Sequence, residues 1–175
     1  MAAVRTISGT QYLWTCHHVG VNSSGNNDGS PADRTAVEWF KIQMQSTPPS
    51  ASIVSNNRIY DSAATSPKFY YYPSLAVNQN GDVALGFSGS GVNDYIGAYY
   101  FGTLNGGSSP TAPIRFYAGK DWYSGNGSDI RWGDYSNTSL DSDGLKFWSL
   151  QEYAETRYAT GINAWGTRFV AITPF

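Results

Sequence analysis

Residues 73–87, PSLAVNQNGDVALGF, constrain this chain more than any other stretch. They read as a strand, a turn containing Asn-Gly-Asp, and a second strand ending in Phe87. Asn, Gly and Asp are the residues that tolerate the positive backbone φ of a tight hairpin turn, so the segment predicts two antiparallel strands. The rest of the chain is written the same way, in short aromatic and β-branched runs divided by Gly, Asn, Asp and Pro. Strands are predicted over 11–21, 35–43, 53–60, 70–77, 83–88, 95–101, 114–118, 134–138, 146–153 and 168–173. The best helical candidate, 149–160, lacks an apolar stripe at three-to-four spacing. Many short strands at even spacing imply a sandwich, a barrel or a propeller.

An internal echo favours the propeller. Residues 133–148, GDYSNTSLDSDGLKFW, repeat the outline of 73–87: a strand, a turn containing Asp-Ser-Asp-Gly, and a strand ending in Phe147-Trp148. A further strand follows each hairpin, GAYYFG after the first and WGTRFVAI after the second. Recurrence of this kind marks a repeat architecture. The fold expected is all-β, one propeller-like domain over 1–175, whole or part of a larger propeller, built as an array of four-stranded antiparallel blades. Strand count allows about three blades, whereas closed propellers have roughly four to eight. A half-propeller of this kind is expected to form a homo-oligomer, two half-rings closing a six-bladed ring about a two-fold axis.

Composition narrows the partners. Aromatic residues make up 15% and charged residues 14%, so Ser, Asn, Thr, Gly and Tyr must cover much of the surface. A net charge of −2 gives no electrostatic reason to expect nucleic acid or an anionic membrane. No run of eighteen apolar residues suggests a spanning helix, and MAAVRTISGT lacks the pattern of a secretory leader. Cys16 is the only cysteine, which excludes an internal disulfide and a thiolate zinc site. It reads as a buried, inert thiol rather than a nucleophile.

Four segments carry a resemblance: LWTCHHVGVN (13–22), PSLAVNQNGDVALGF, RWGDYSNTSLDSDGLKFWSLQEYA (131–154) and NAWGTRF (163–169). Together they resemble secreted bacterial proteins of the sialidase-like, BNR/Asp-box β-propeller type. Ser139, Asp141, Gly144 and Trp148 approximate the S-x-D-x-G-x-x-W box, with one extra residue on each side of the glycine. The resemblance implies a propeller and a secreted or cell-surface location. Sialidase chemistry in such a family uses three arginines, a tyrosine nucleophile backed by a glutamate, and an aspartic acid. Arg34, Arg58, Arg115, Arg131, Arg157 and Arg168, with Tyr135, Glu152 and Asp134, supply those residue types, and no spacing selects among them.

The stretch 131–148 holds the densest chemistry. Asp134, Asp141 and Asp143 are candidate oxygen ligands for Ca²⁺, though no acidic side chain follows Gly144 where a calcium loop would place one. The competing reading makes Asp141 and Asp143 turn-bonding residues, with Gly144 at positive φ and Arg131 paired to Asp134. His17 and His18 point to opposite faces of a strand, so they do not readily chelate one metal together; each either serves singly or is a hydrogen-bonded core or rim histidine. Glu38, flanked by apolar residues in TAVEWFKI, either does acid–base work in a desolvated site or pairs with Lys41 or Arg34. Exposed Tyr and Trp beside Asn and Asp suit the apolar faces and hydroxyls of sugars. The function expected is therefore a non-catalytic binding or structural module with a glycan ligand. His17, Glu38, Arg131, Asp134 and Tyr135 are its candidate contacts. The alternative is a sialidase-like glycoside hydrolase using Arg131, Asp134 and Tyr135.

Overall fold

A computed structural model describes residues 1–45, 50–106, 112–124 and 131–173. Within them every regular element is a strand, apart from one 3₁₀ turn at Leu104–Gly106. In chain order the strands are β1 (Ala2–Ile7), β2 (Thr10–Val21), β3 (Arg34–Gln45), β4 (Ser50–Ile59), β5 (Phe69–Val77) and β6 (Val83–Gly91). They continue as β7 (Asp94–Thr103), β8 (Ile114–Tyr117), β9 (Asn137–Leu140), β10 (Phe147–Glu155) and β11 (Ala164–Ile172). Three separate antiparallel sheets result, ordered β1-β2-β3-β4, β5-β6-β7-β8 and β9-β10-β11. Each is an up-and-down meander of consecutive strands.

The two hairpins read from the sequence open the second and third sheets. Val77 pairs with Val83 across the Asn-Gly-Asp turn, and Leu140 pairs with Phe147 across the Asp-rich one. The described sheets do not close into a ring, and the third has three strands where four-stranded blades were expected. β1 went unread, although it pairs from Ala2↔Thr15 to Ile7↔Thr10. Its turn, Ser8-Gly9, has φ of 49° and 80°, the doubly positive pair a two-residue hairpin needs. The strand expected at 134–138 begins only at Asn137, because the residues before it belong to a loop.

The second sheet lies between the other two, and the alternation of its side chains explains why. Leu75, Val77, Val83, Leu85, Phe87, Tyr99 and Phe101 point one way and meet Trp14, Cys16, Val37, Trp39 and Ile59 of the first sheet. Burying large apolar groups of this kind contributes about 1.5–3 kcal/mol each, which makes this the main core. Cys16 is buried here as read from the sequence, and burial pushes its thiol up to about 11.

The opposite face of the second sheet carries small residues, and its contact with the third sheet is partly polar. Ala76 and Ala84 pack against Phe147 and Ile172. Beside them Ser74, Thr138, Ser149 and Gln151 form a buried network. Ser74 Oγ lies 2.7 Å from Thr138 Oγ1, and Gln151 Nε2 donates to Ser74 Oγ at 3.1 Å and Ser149 Oγ at 3.0 Å. Gly86 sits over this network with no side chain, and its carbonyl accepts from Ser74 at 3.3 Å. The network fixes how the third sheet, and everything on it, stands relative to the second.

Strand direction sends the β2–β3, β4–β5 and β10–β11 connections to one end of the stack. The turns at 8–9, 78–82 and 141–146 lie at the other end, where Gln79 N–H donates to Gly144 O and Asn78 Nδ2 donates to Leu145 O. At the loop end, buried Arg34 ties down the connection into β5. It pairs with Asp33 through Nε at 2.8 Å and donates from Nη1 to Asp61 O and Ala63 O.

Candidate functional site

The stretch 131–136 closes the loop end of the third sheet, and four contacts set its shape. Trp132 is buried and donates its indole N–H to Ser88 Oγ at 2.9 Å. Gly133 has φ of 92°, and a Cβ there would lie 2.6 Å from the Tyr72 ring, so glycine is required on both counts. Its N–H donates to Glu152 Oε2 at 2.6 Å, and the N–H of Tyr135 donates to Glu152 Oε1 at 3.1 Å. The buried Glu152 on β10 therefore holds the loop from beneath with both oxygens.

What this loop presents is a cleft of about 190 Å³, lined by Tyr123, Arg131, Trp132, Asp134, Tyr135, Glu152 and Trp165. Tyr135 and Trp165 stack at 4.8 Å with 15° between their planes. Both are well exposed, at 57% and 46%. Tyr123 meets Trp132 edge-on at 4.8 Å on the opposite wall. Arg131 Nη2 donates to Asp134 Oδ2 at 2.5 Å at the rim. Arg131, Asp134 and Tyr135 of the expected set are thus brought together, whereas Glu152 and Trp165 join them from distant strands.

Tyr72 also belongs to this end of the molecule. It has φ of 51° immediately before Pro73, an unusual conformation for a bulky residue, and its ring meets His18 edge-on at 5.4 Å. Strained positions of this kind concentrate at functional sites. The sequence signal was the run KFYYYP, in which three adjacent tyrosines precede a proline.

His17 and Glu38 lie elsewhere, on the outward face of the first sheet, and they form a cluster of their own. Glu38, with a side chain only 6% exposed, stands 3.2 Å from His17 Nε2 and accepts from Arg58 Nε at 2.5 Å. Arg58 Nη1 continues to Gly25 O at 3.0 Å, and His17 stacks on Phe40. The pairings with Lys41 or Arg34 expected from the sequence are not made. Lys41 is on the other face of β3, with Nζ 4.5 Å from the centre of the Tyr12 ring, and Arg34 is held by Asp33 and loop carbonyls. The five candidate contacts therefore divide between the two end sheets.

Of the three candidate calcium ligands, Asp134 stands apart from Asp141 and Asp143, which share one turn. Asp134 precedes β9 and Asp141 follows it, at the opposite end of the sheet. Asp141 accepts the Trp148 indole N–H at 2.8 Å and the Ser142 hydroxyl at 3.1 Å, and these bonds, the indole's first, lower its pKa. Asp143 Oδ1 accepts the N–H groups of Leu145 and Lys146 at 2.8 and 2.9 Å, which lowers its pKa likewise. Gly144 completes the turn at φ 73°. Among the described residues no group of three or more His, Cys, Asp or Glu stands close enough to hold a metal ion. The acidic turn is occupied by its own backbone and by Trp148.

One further cluster braces the loop that carries the cleft. Glu155 accepts from Lys120 Nζ at 2.8 Å and from Tyr153 OH at 2.6 Å, and Lys120 N–H donates to Ala154 O at 2.8 Å. Lys120 first, then Tyr153, holds the Glu155 carboxyl down at about 2. A depressed carboxylate stabilises the fold above its unfolded pKa and ceases to do so as pH falls through its folded value. The melting temperature is therefore expected to fall between about pH 4.5 and pH 2, and Glu155→Gln to flatten part of that fall. Thermal melts of both proteins across that range check it; identical slopes would refute the bracing role.

Comparison with protein-family models, with curated proteins and with solved structures found no match to this chain.

Proposed function

We propose that this chain is a non-catalytic glycan-binding module of the sialidase-like, Asp-box propeller kind, acting at or outside the cell surface. The observation that carries the reading is the stacked Tyr135–Trp165 pair, exposed at the mouth of a cleft whose rim holds Arg131 and Asp134. Aromatic faces cover the apolar side of a sugar ring, and an arginine–carboxylate pair offers donors and acceptors to its hydroxyls. The propeller part of the reading is supported by three antiparallel meanders packed face to face. It is supported as well by an Asp-rich turn whose Asp141 accepts from Trp148 across the hairpin.

The hydrolase alternative has less behind it. Glycosidic cleavage takes one carboxyl group to protonate the leaving oxygen and a second group to attack or activate water. Here both Glu152 oxygens accept backbone N–H groups and Asp134 is paired with Arg131. The arginines do not gather into a clamp either. Arg115 is paired with Asp94, Arg157 with Asp121, Arg58 with Glu38, and Arg168 lies over Tyr117.

A glycan array followed by titration calorimetry tests the proposal. Binding of a neutral or acidic sugar is expected, weakened about five- to twelvefold by Trp165→Ala, since loss of one stacking face removes on the order of 1–1.5 kcal/mol. The circular dichroism spectrum should be unchanged by that substitution. Absence of any signal at protein concentrations that detect millimolar affinity would sink it, and turnover of a fluorogenic sialoside would favour the hydrolase.

A further inference from the structure

We infer that the cleft continues past Gly133 into a second sugar subsite, built by Tyr72 and His18, so that its ligand is an oligosaccharide lying along both and not a single terminal sugar. The inference rests on the glycan reading above and extends it.

The packing of the sheets does not account for Tyr72. Its φ of 51° is one that glycine adopts freely and a bulky residue does not, and Pro73 after it favours an extended backbone instead. Burial gives no reason to keep a tyrosine there, because the residue is 41% exposed. The backbone is shaped to present it. β5 is an edge strand of the second sheet, and between Tyr71↔Ser88 and Ser74↔Gly86 it carries one residue more than β6. A bulge of this kind re-aims a side chain, and bulges gather beside functional sites.

Three contacts hold the ring in place. Tyr71 meets it edge-on at 5.7 Å, and the Tyr71 hydroxyl is itself fixed 2.9 Å from Ser90 Oγ. His18 meets it at 5.4 Å from β2. The third contact is the backbone of Gly133, which the ring approaches too closely for any side chain to stand there. A ring held by its neighbours loses little freedom when a sugar stacks on it.

This position adjoins the cleft. Gly133 is flanked by Trp132 and Asp134, which both line the cleft, and it puts no side chain between them and Tyr72. His18 shares the face of β2 that Cys16 turns toward the second sheet, yet it is exposed. Among the described residues its contact is the Tyr72 ring, and neither ring nitrogen has a hydrogen-bond partner. A neutral imidazole offers one donor and one acceptor, which complement an aromatic face toward sugar hydroxyls. The Tyr72–His18 pair thus repeats the chemistry of the Tyr135–Trp165 platform one glycine away from the cleft wall.

Calorimetric titration with matched short and long sugars tests the inference. The pairs are N-acetylglucosamine and its β-1,4 tetramer, glucose and its β-1,4 tetramer, and sialic acid and sialyllactose. In at least one pair the longer sugar is expected to bind about fivefold or more tightly than the monosaccharide, the gain of one further stacking contact. Tyr72→Ala is expected to remove most of that gain while leaving monosaccharide affinity and the circular dichroism spectrum unchanged. Trp165→Ala is expected to weaken both members of the pair. A monosaccharide that binds as tightly as its longer partner, or a length gain that survives Tyr72→Ala, overturns the second subsite and leaves the glycan reading standing. Absence of binding by every sugar overturns both. His18→Ala serves should Tyr72→Ala fail to fold: a loss confined to the longer sugar supports the subsite, and unchanged affinity for it overturns the subsite.

Discussion

Gly86→Ala is expected to lower the melting temperature by about 10 °C, from a loss of roughly 3 kcal/mol at a few degrees per kcal/mol for a domain of this size. A Cβ at Gly86 would lie 1.9 Å from Ser149 Oγ, 2.2 Å from Gln151 Nε2 and 2.7 Å from Thr138 Oγ1. None of these can move aside cheaply. Ser149 and Gln151 are fully buried, and both are engaged in the polar network between the second and third sheets. Relief by moving them breaks hydrogen bonds worth about 1 kcal/mol each and leaves buried polar atoms unsatisfied. Relief by separating the sheets opens the Ala76–Phe147 contact instead. Differential scanning calorimetry of the two proteins decides the matter, and a shift under about 2 °C would mean that the sheets do not meet as described. Gly86→Val is expected to be worse, because it adds two methyl groups to an overfilled site.

Glu152→Ala is expected to cost about 3 kcal/mol and to abolish the glycan binding proposed for the cleft. The carboxylate accepts from Gly133 N–H and Tyr135 N–H, and losing the acceptor for two partly buried donors costs about 1–3 kcal/mol for each. The loop then no longer holds Tyr135 against Trp165, so the platform is lost with the stability. Glu152→Gln separates the two effects. Its carbonyl still accepts one N–H, but its amide nitrogen turns a donor toward the other, so an intermediate loss is expected. Melting curves and glycan titrations on both variants read this out. Wild-type affinity in Glu152→Ala would show that the loop keeps its shape by other means.

Much of the architecture was legible because it is local. Hairpin turns depend on residues that accept positive φ, and Asn-Gly-Asp and Asp-Ser-Asp-Gly mark two of them. The turn reading of Asp141 and Asp143 follows from the same chemistry, with Trp148 as an added donor that sits at the end of the hairpin. β1 escaped notice because its Ser8-Gly9 turn offers only one glycine as a signal and its sequence is short. The candidate site was half legible. Arg131, Asp134 and Tyr135 are neighbours in the chain, so their meeting needed no tertiary knowledge. Trp165 and Glu152 reach the same cleft through the pairing Glu152↔Thr167 and Ala154↔Trp165. That register is not written at either strand. Nor did the partner of Glu38 show in the sequence, because Arg58 comes opposite it only through the β3–β4 pairing.

By itself, then, the amino-acid sequence determined that this chain is all-β and where most of its strands turn, since alternation and turn chemistry act over a few residues. The tertiary structure decided which faces became core and which were left outward, because that depends on how one sheet's side chains fit another's. Trp14 and Trp39 could fill a core only where the second sheet offered Leu85 and Phe87. Gly86 could be tolerated, and is required, only because Ser149 and Gln151 arrive from the third sheet. It likewise divided His17 and Glu38 from Arg131, Asp134 and Tyr135 by placing a whole sheet between them. Contacts across sheets join residues far apart in the chain, and no local pattern of residues encodes that distance.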